Sequence, residues 1–184
     1  MTERSTRART ILLATALAAV SACTTTPNPI AEGIGFRETR FQEVSSMRQY
    51  RACRDEALEL DRQARASAAP ARYLASAKLI EKCEADIGPG ASGVAQEERL
   101  RAWALGIQNY LKGGDVAKAR SNLESLKAAF AGQDLYYPDG GSFVETMELL
   151  LGLRDKTAVG EFSTTNAPGA VKDELRRVRY WTRN

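Results

Sequence analysis

From Phe36 onward, apolar residues recur three and four positions apart, the spacing that gathers side chains on one face of an α-helix. The pattern predicts a long first helix over about Phe36–Ala66 and a second over about Pro70–Ile87, with Ser67-Ala68-Ala69-Pro70 as the turn. Met47, Tyr50, Cys53, Ala57, Leu60 and Ala64 form the inner stripe of the first; Tyr73, Ser76, Ile80, Cys83 and Ile87 form that of the second. The Gly-rich run 88–93 (GPGASG) precedes a third helix that ends near Lys112 at Gly113-Gly114. Asp115 suits the N-cap of a fourth helix reaching about Ala131. Residues 133–141 read as a loop, and Ser142-Phe143-Val144-Glu145 is a capping-box signature opening a fifth helix through Leu153. Residues 156–170 have little periodicity, and a short last helix runs from about Val171 to Trp181. No stretch shows convincing strand alternation. The expected fold is all-α: antiparallel helix pairs, as a short α-solenoid or a compact helical bundle.

The first 35 residues follow a different pattern. Arg4, Arg7 and Arg9 precede an uncharged apolar run, Ile11–Val20, too short to span a bilayer, and small residues then lead to Cys23. Val20-Ser21-Ala22-Cys23 resembles the lipobox of bacterial lipoproteins. The resemblance implies removal of residues 1–22 as a signal peptide, diacylglycerol on the Cys23 thiol and acylation of the new amine. An ordinary cleaved signal with an incidental cysteine is the competing reading. Thr24–Gly35, rich in Thr, Pro and Gly, reads as a flexible tether within a segment 23–35. The helical domain then occupies residues 36–184. Thr rather than Asp at position 24 implies, by the same resemblance, sorting to the outer membrane with the domain facing the periplasm.

Processing changes the charge. The whole chain has 26 basic and 23 acidic residues; residues 1–22 carry three Arg and one Glu, leaving 23 and 22. A nearly neutral mature chain has no field to attract nucleic acid, which is excluded as a partner. Lipidation of Cys23 would leave Cys53 and Cys83 in an oxidising compartment. Each lies 15 residues from Ala68, so in an antiparallel hairpin both would sit about 22 Å from the turn. They share the inner face, and a disulfide between them is expected; two buried thiols packed as small apolar residues is the alternative.

The third and fourth helices resemble a tetratricopeptide repeat anchored on residues 100–133. Trp103 and Tyr110 take its two aromatic positions, Ala119 its small residue and Leu123 the large apolar neighbour. The match is degenerate: Gly106-Ile107 replaces the usual Leu-Gly pair, and Ala131 stands where proline is common. Ala117, Ala119, Ala128 and Ala129 are expected to allow close helix approach, with Trp103, Tyr110, Leu123, Leu126 and Phe130 filling the space between. Flanking helices should stack on the repeat and the last should cap it.

Chemical motifs are sparse. The run 88–93 formally matches G-x-G-x-x-G, but helix rather than strand is expected before it. The chain contains no histidine, which excludes a Ser-His-Asp triad and the common zinc sites and leaves a cysteine nucleophile without its usual base. No catalytic residue, metal or cofactor is expected. Candidate partner-binding residues are Tyr136, Tyr137 and Trp181; packing between helices competes for the tyrosines, and capping or a membrane interface for the last helix. Resemblance to tetratricopeptide-containing lipoproteins implies a membrane-anchored scaffold or adaptor that binds an envelope protein or peptide. The alternative is a compact helical lipoprotein holding a small ligand or peptidoglycan.

Overall fold

The computed structural model describes residues 29–88, 91–155 and 164–183. The expected signal peptide and Cys23 lie outside them. Among the described residues six helices follow in order: α1 (Pro29–Ser67), α2 (Pro70–Asp86), α3 (Gln96–Lys112), α4 (Val116–Ala129), α5 (Phe143–Leu150) and α6 (Gly169–Arg183). The fold is all-α, and an isolated bridge between Tyr136 and Ser142 is the β pairing among the described residues.

The chain divides into two units, Met1–Phe41 and Gln42–Asn184. Of the first, the described part is the opening of α1. Helix begins there at Pro29 rather than Phe36, so residues 29–35 of the expected flexible tether are helical. Pro29 is pre-set for a first helical turn, and each residue added to a nucleated helix brings a hydrogen bond. That gain outweighs the cost of Gly33 and Gly35, about 1 kcal/mol each. Phe36 and Phe41 are both 73% exposed.

In the second unit, α1 turns back into α2 through Ala68, whose φ of 50° is left-handed, and Pro70 then occupies the first turn of α2. Cys53 and Cys83 are joined by a disulfide with Cα atoms 5.8 Å apart. The Ser76 hydroxyl donates to the Ala57 carbonyl (2.8 Å) and accepts from Asn109 Nδ2 (3.1 Å), linking α1, α2 and α3. Asp61, absent from the sequence-derived stripe, is fully buried on α1 and ion-paired with Arg65 one turn on.

The main core joins Ala77 of α2, Leu100, Ala104, Ile107 and Tyr110 of α3, Ala119, Leu123 and Leu126 of α4, Phe130, and Phe143, Met147 and Leu151 from the α5 region. Of the four alanines expected at close contacts, Ala119 alone is buried; Ala117, Ala128 and Ala129 are exposed. They fall on turns of α4 that face away from the stripe at 119, 123 and 126. Both expected caps form. Asp115 accepts from Lys118 N (3.0 Å) and Ser142 Oγ from Glu145 N (3.1 Å), but the capping box is incomplete because Glu145 bonds Asn166 N and Arg154 instead. A helix, α2, precedes the Gly-rich run, which removes the strand a dinucleotide fingerprint needs; its residues 89 and 90 lie outside the described part.

Candidate functional site

Glu97, Arg101, Ala104, Leu105 and Gln108 recur on one face of α3 and line a groove with two lobes. One lobe, about 470 Å³, is closed by the segment from Asp134 to Tyr137 and by Phe143. The other, about 390 Å³, is closed by Arg54 and Leu58 of α1. Glu97, Arg101 and Leu105 line both, so the lobes flank the same three side chains.

The aromatic wall is held by backbone geometry. Tyr137 N donates to Gly141 O (2.8 Å), Gly140 N to Tyr137 O (2.9 Å) and Phe143 N to Leu135 O (2.8 Å), closing a tight turn. Gly140, at φ 81°, takes the left-handed position this turn requires. Asp134 anchors the turn: its carboxylate accepts from Leu135 N (2.7 Å), Val144 N (3.2 Å) and the Ser142 hydroxyl. On this support Tyr136 is 68% exposed, whereas Tyr137 packs on the core and its hydroxyl accepts from Gln108 Nε2 (3.4 Å). Burial holds the Tyr137 hydroxyl above its ordinary pKa. Of the tyrosine pair, Tyr137 therefore packs between helices, while Tyr136 stays exposed.

Ion pairs neutralise the opposite wall. Glu98 accepts from Arg51 Nε (3.0 Å) and Nη2 (2.9 Å) and from Arg54, and Arg101 pairs with Glu97 at 2.5 Å. Hydrogen bonding from Arg51, together with the Arg54 charge, holds the Glu98 carboxyl below the usual carboxylate range. Leu58, 38% exposed, Leu105 and Tyr136 add apolar surface between these charges. Such a mixture suits an extended segment with alternating polar and apolar side chains.

The opposite face of α3 lines a second concavity of about 550 Å³, with Glu81, Glu84, Trp103, Asn122 and Ser125 in its wall. Arg99 and Glu84 form a buried pair there at 2.8 Å, and the Arg99 guanidinium lies 5.6 Å from the centre of the Phe130 ring. Trp103 Nε1 donates to Asn122 Oδ1 (3.1 Å) and its ring meets Phe130 edge-on at 5.9 Å. Trp103 is thus only partly in the core.

Trp181 sits far from core contacts. Leu175 packs against Leu149 and Ala167, which caps the unit with the first half of α6, while Trp181 is 69% and Tyr180 62% exposed. Cys53 and Cys83 are tied up as the α1–α2 link, and Cys23 lies outside the described residues. Among the described residues no group of three or more Asp, Glu or Cys is placed to hold a metal ion, and no helix is long and apolar enough to cross a membrane. Sequence reasoning missed Arg54, Leu58, Arg101, Leu105 and Gln108. For Arg101, Leu105 and Gln108 the signal is the recurrence of mixed polar and apolar residues on an α3 face beside its core stripe; Arg54 and Leu58 of α1 gave none.

No family model, curated protein or solved structure matches this chain.

Proposed function

We propose that this chain is a lipid-anchored envelope protein whose α3 groove binds an extended segment of a protein partner. The groove carries the reading. It runs beside one helix, joins two lobes through shared side chains, and places the exposed Tyr136 ring on a turn locked by Asp134. A rigid aromatic beside apolar and charged positions is the composition of a peptide-binding surface. The lipobox-like Val20-Ser21-Ala22-Cys23 supports the anchor, and the outer membrane facing the periplasm is the proposed site of action. The tetratricopeptide-like spacing of Trp103, Tyr110, Ala119 and Leu123 supports an adaptor role.

A photoreactive amino acid at position 105 or 136, introduced in growing cells, should give an adduct with a defined envelope protein. The same probe at the exposed Lys78 of α2 should give none, and Leu105→Arg should suppress capture from position 136. Radiolabelled palmitate should enter the wild-type chain and not Cys23→Ala, whose adduct should also weaken. Equal adducts from positions 78 and 105 would sink the groove; absence of label from the wild type would sink the anchor.

The polar concavity on the other side of α3 favours one second reading, a small-ligand or peptidoglycan-fragment binder, because Trp103 lies beside Glu84, Asn122 and Ser125. Quenching of Trp103 emission by muropeptides, with no groove adduct, would favour it.

A further inference from the structure

Polar and apolar positions separate most sharply on α6. Val171, Leu175 and Val178 share one flank, and Lys172, Arg176, Arg179 and Arg183 recur at i, i+4, i+7 and i+11 along another. Leu175 is the part of the apolar flank that packs on the unit. One turn later the helix leaves that support: Val178 is 47%, Tyr180 62% and Trp181 69% exposed. The stretch Arg176–Arg183 holds four arginines and no acid. Arg176 and Arg177 pair with Asp173 and Glu174 at exposed sites where such pairs exchange readily for other anions, and the half-buried Arg179 has contacts of its own.

We propose that the C-terminal half of α6 binds the surface of a membrane containing anionic phospholipid. Guanidinium groups match phosphate oxygens in a bidentate fork. Trp and Tyr rings, apolar in body and polar at one edge, favour the headgroup level, and here they meet edge-on at 5.5 Å. The distribution of these groups decides between a membrane and an acidic protein. At 100° per residue, Arg177 and Trp181 lie on one side of the helix, Arg176 and Arg179 on the other, and Tyr180 between them. A protein groove reads one face, whereas a layer of headgroups admits contacts all round a helix end. With Leu175 engaged by Leu149 and Ala167, α6 contacts the layer by its last two turns instead of lying flat along its apolar flank.

The proposal does not depend on the lipid anchor and is tested without it. The chain from residue 23 bearing Cys23→Ala retains every described residue and carries no acyl group. It should float with vesicles of phosphatidylglycerol and phosphatidylcholine in equal parts and stay behind with phosphatidylcholine alone. Each arginine contributes about fivefold to binding an anionic surface, so Arg176→Gln/Arg179→Gln/Arg183→Gln should weaken it about a hundredfold. Brominated lipid should quench Trp181, and Trp181→Ala should lower affinity without changing helical content by circular dichroism. Equal binding to both vesicle types, or full binding by the triple variant, overturns the proposal. Binding to polyglutamate but not to vesicles overturns it in favour of an acidic protein. None of these outcomes touches the groove, whose own failure would appear only in crosslinking from positions 105 and 136.

Discussion

Gly141 meets Pro168 so closely that a Cβ there would lie 2.7 Å from the proline Cδ and 2.9 Å from its backbone N. Backbone, not a flexible side-chain end, would have to move, and Ser142 N to Asn166 O (2.6 Å) binds the same two segments. Gly141→Ala should therefore cost about 1–3 kcal/mol, read as a lower urea midpoint at unchanged slope. An unchanged midpoint would mean that this approach is looser than the geometry implies. Gly106 makes the opposite point about legibility. Its place in the repeat pattern calls for Leu, with Gly following, and in this chain Gly106-Ile107 stands there instead. The structure supplies the reason: a Cβ at 106 would sit 3.2 Å from Ile80 Cγ2, so the glycine lets α2 approach here while Ile107 fills the core. Sequence exposed the departure; only the neighbouring helix explains it. Asp61 was not legible at all, because a carboxylate on an inner stripe looks like a break in the pattern until burial is known.

At the scale of elements, the α1–α2 hairpin was readable because its evidence was redundant. Two stripes, a proline-marked turn and two equidistant cysteines all specify one register, and the disulfide forms in it. With its ends 30 positions apart in sequence, the bridge removes enough unfolded-state freedom to stabilise the unit by about 3–4 kcal/mol. Cys53→Ala/Cys83→Ala should lower unfolding free energy by that amount and keep the helical circular dichroism signal, since Met47, Tyr50, Ile87 and Ala91 still pack around the site. A loss of native helix at low temperature would instead mean that the bridge sets the register. The helix ends were less legible. Helical propagation carried α1 back to Pro29, and α4 stops at Ala129 because Phe130 turns into the core. The groove was invisible for a related reason: Arg101, Leu105 and Gln108 are ordinary outward positions of a helix until α1 and the 134–137 turn rise on either side of them.

For the molecule as a whole, charge is segregated rather than small. The processed chain would carry 23 basic and 22 acidic residues; α6 has five basic and two acidic of these, leaving 18 and 20 elsewhere. A net charge of +3 on one helix therefore coexists with −2 on the remainder. Groove and helix should respond differently to salt as a result. Groove cations are internally paired, so a partner held there loses little when ions are added. Contacts of α6 with an anionic surface are screened over a Debye length of about 8 Å at physiological ionic strength and fall steeply beyond it. The two surfaces should separate in a paired experiment, with crosslinking followed on the lipidated chain and vesicle binding on the chain bearing Cys23→Ala. Leu105→Arg should abolish partner crosslinking and leave unlipidated vesicle binding and its salt sensitivity intact. The triple arginine variant should do the reverse, keeping the crosslink while losing the salt-sensitive membrane term. Loss of both activities in either variant would mean that groove and helix act as one coupled surface, and the division of labour drawn here would have to be abandoned.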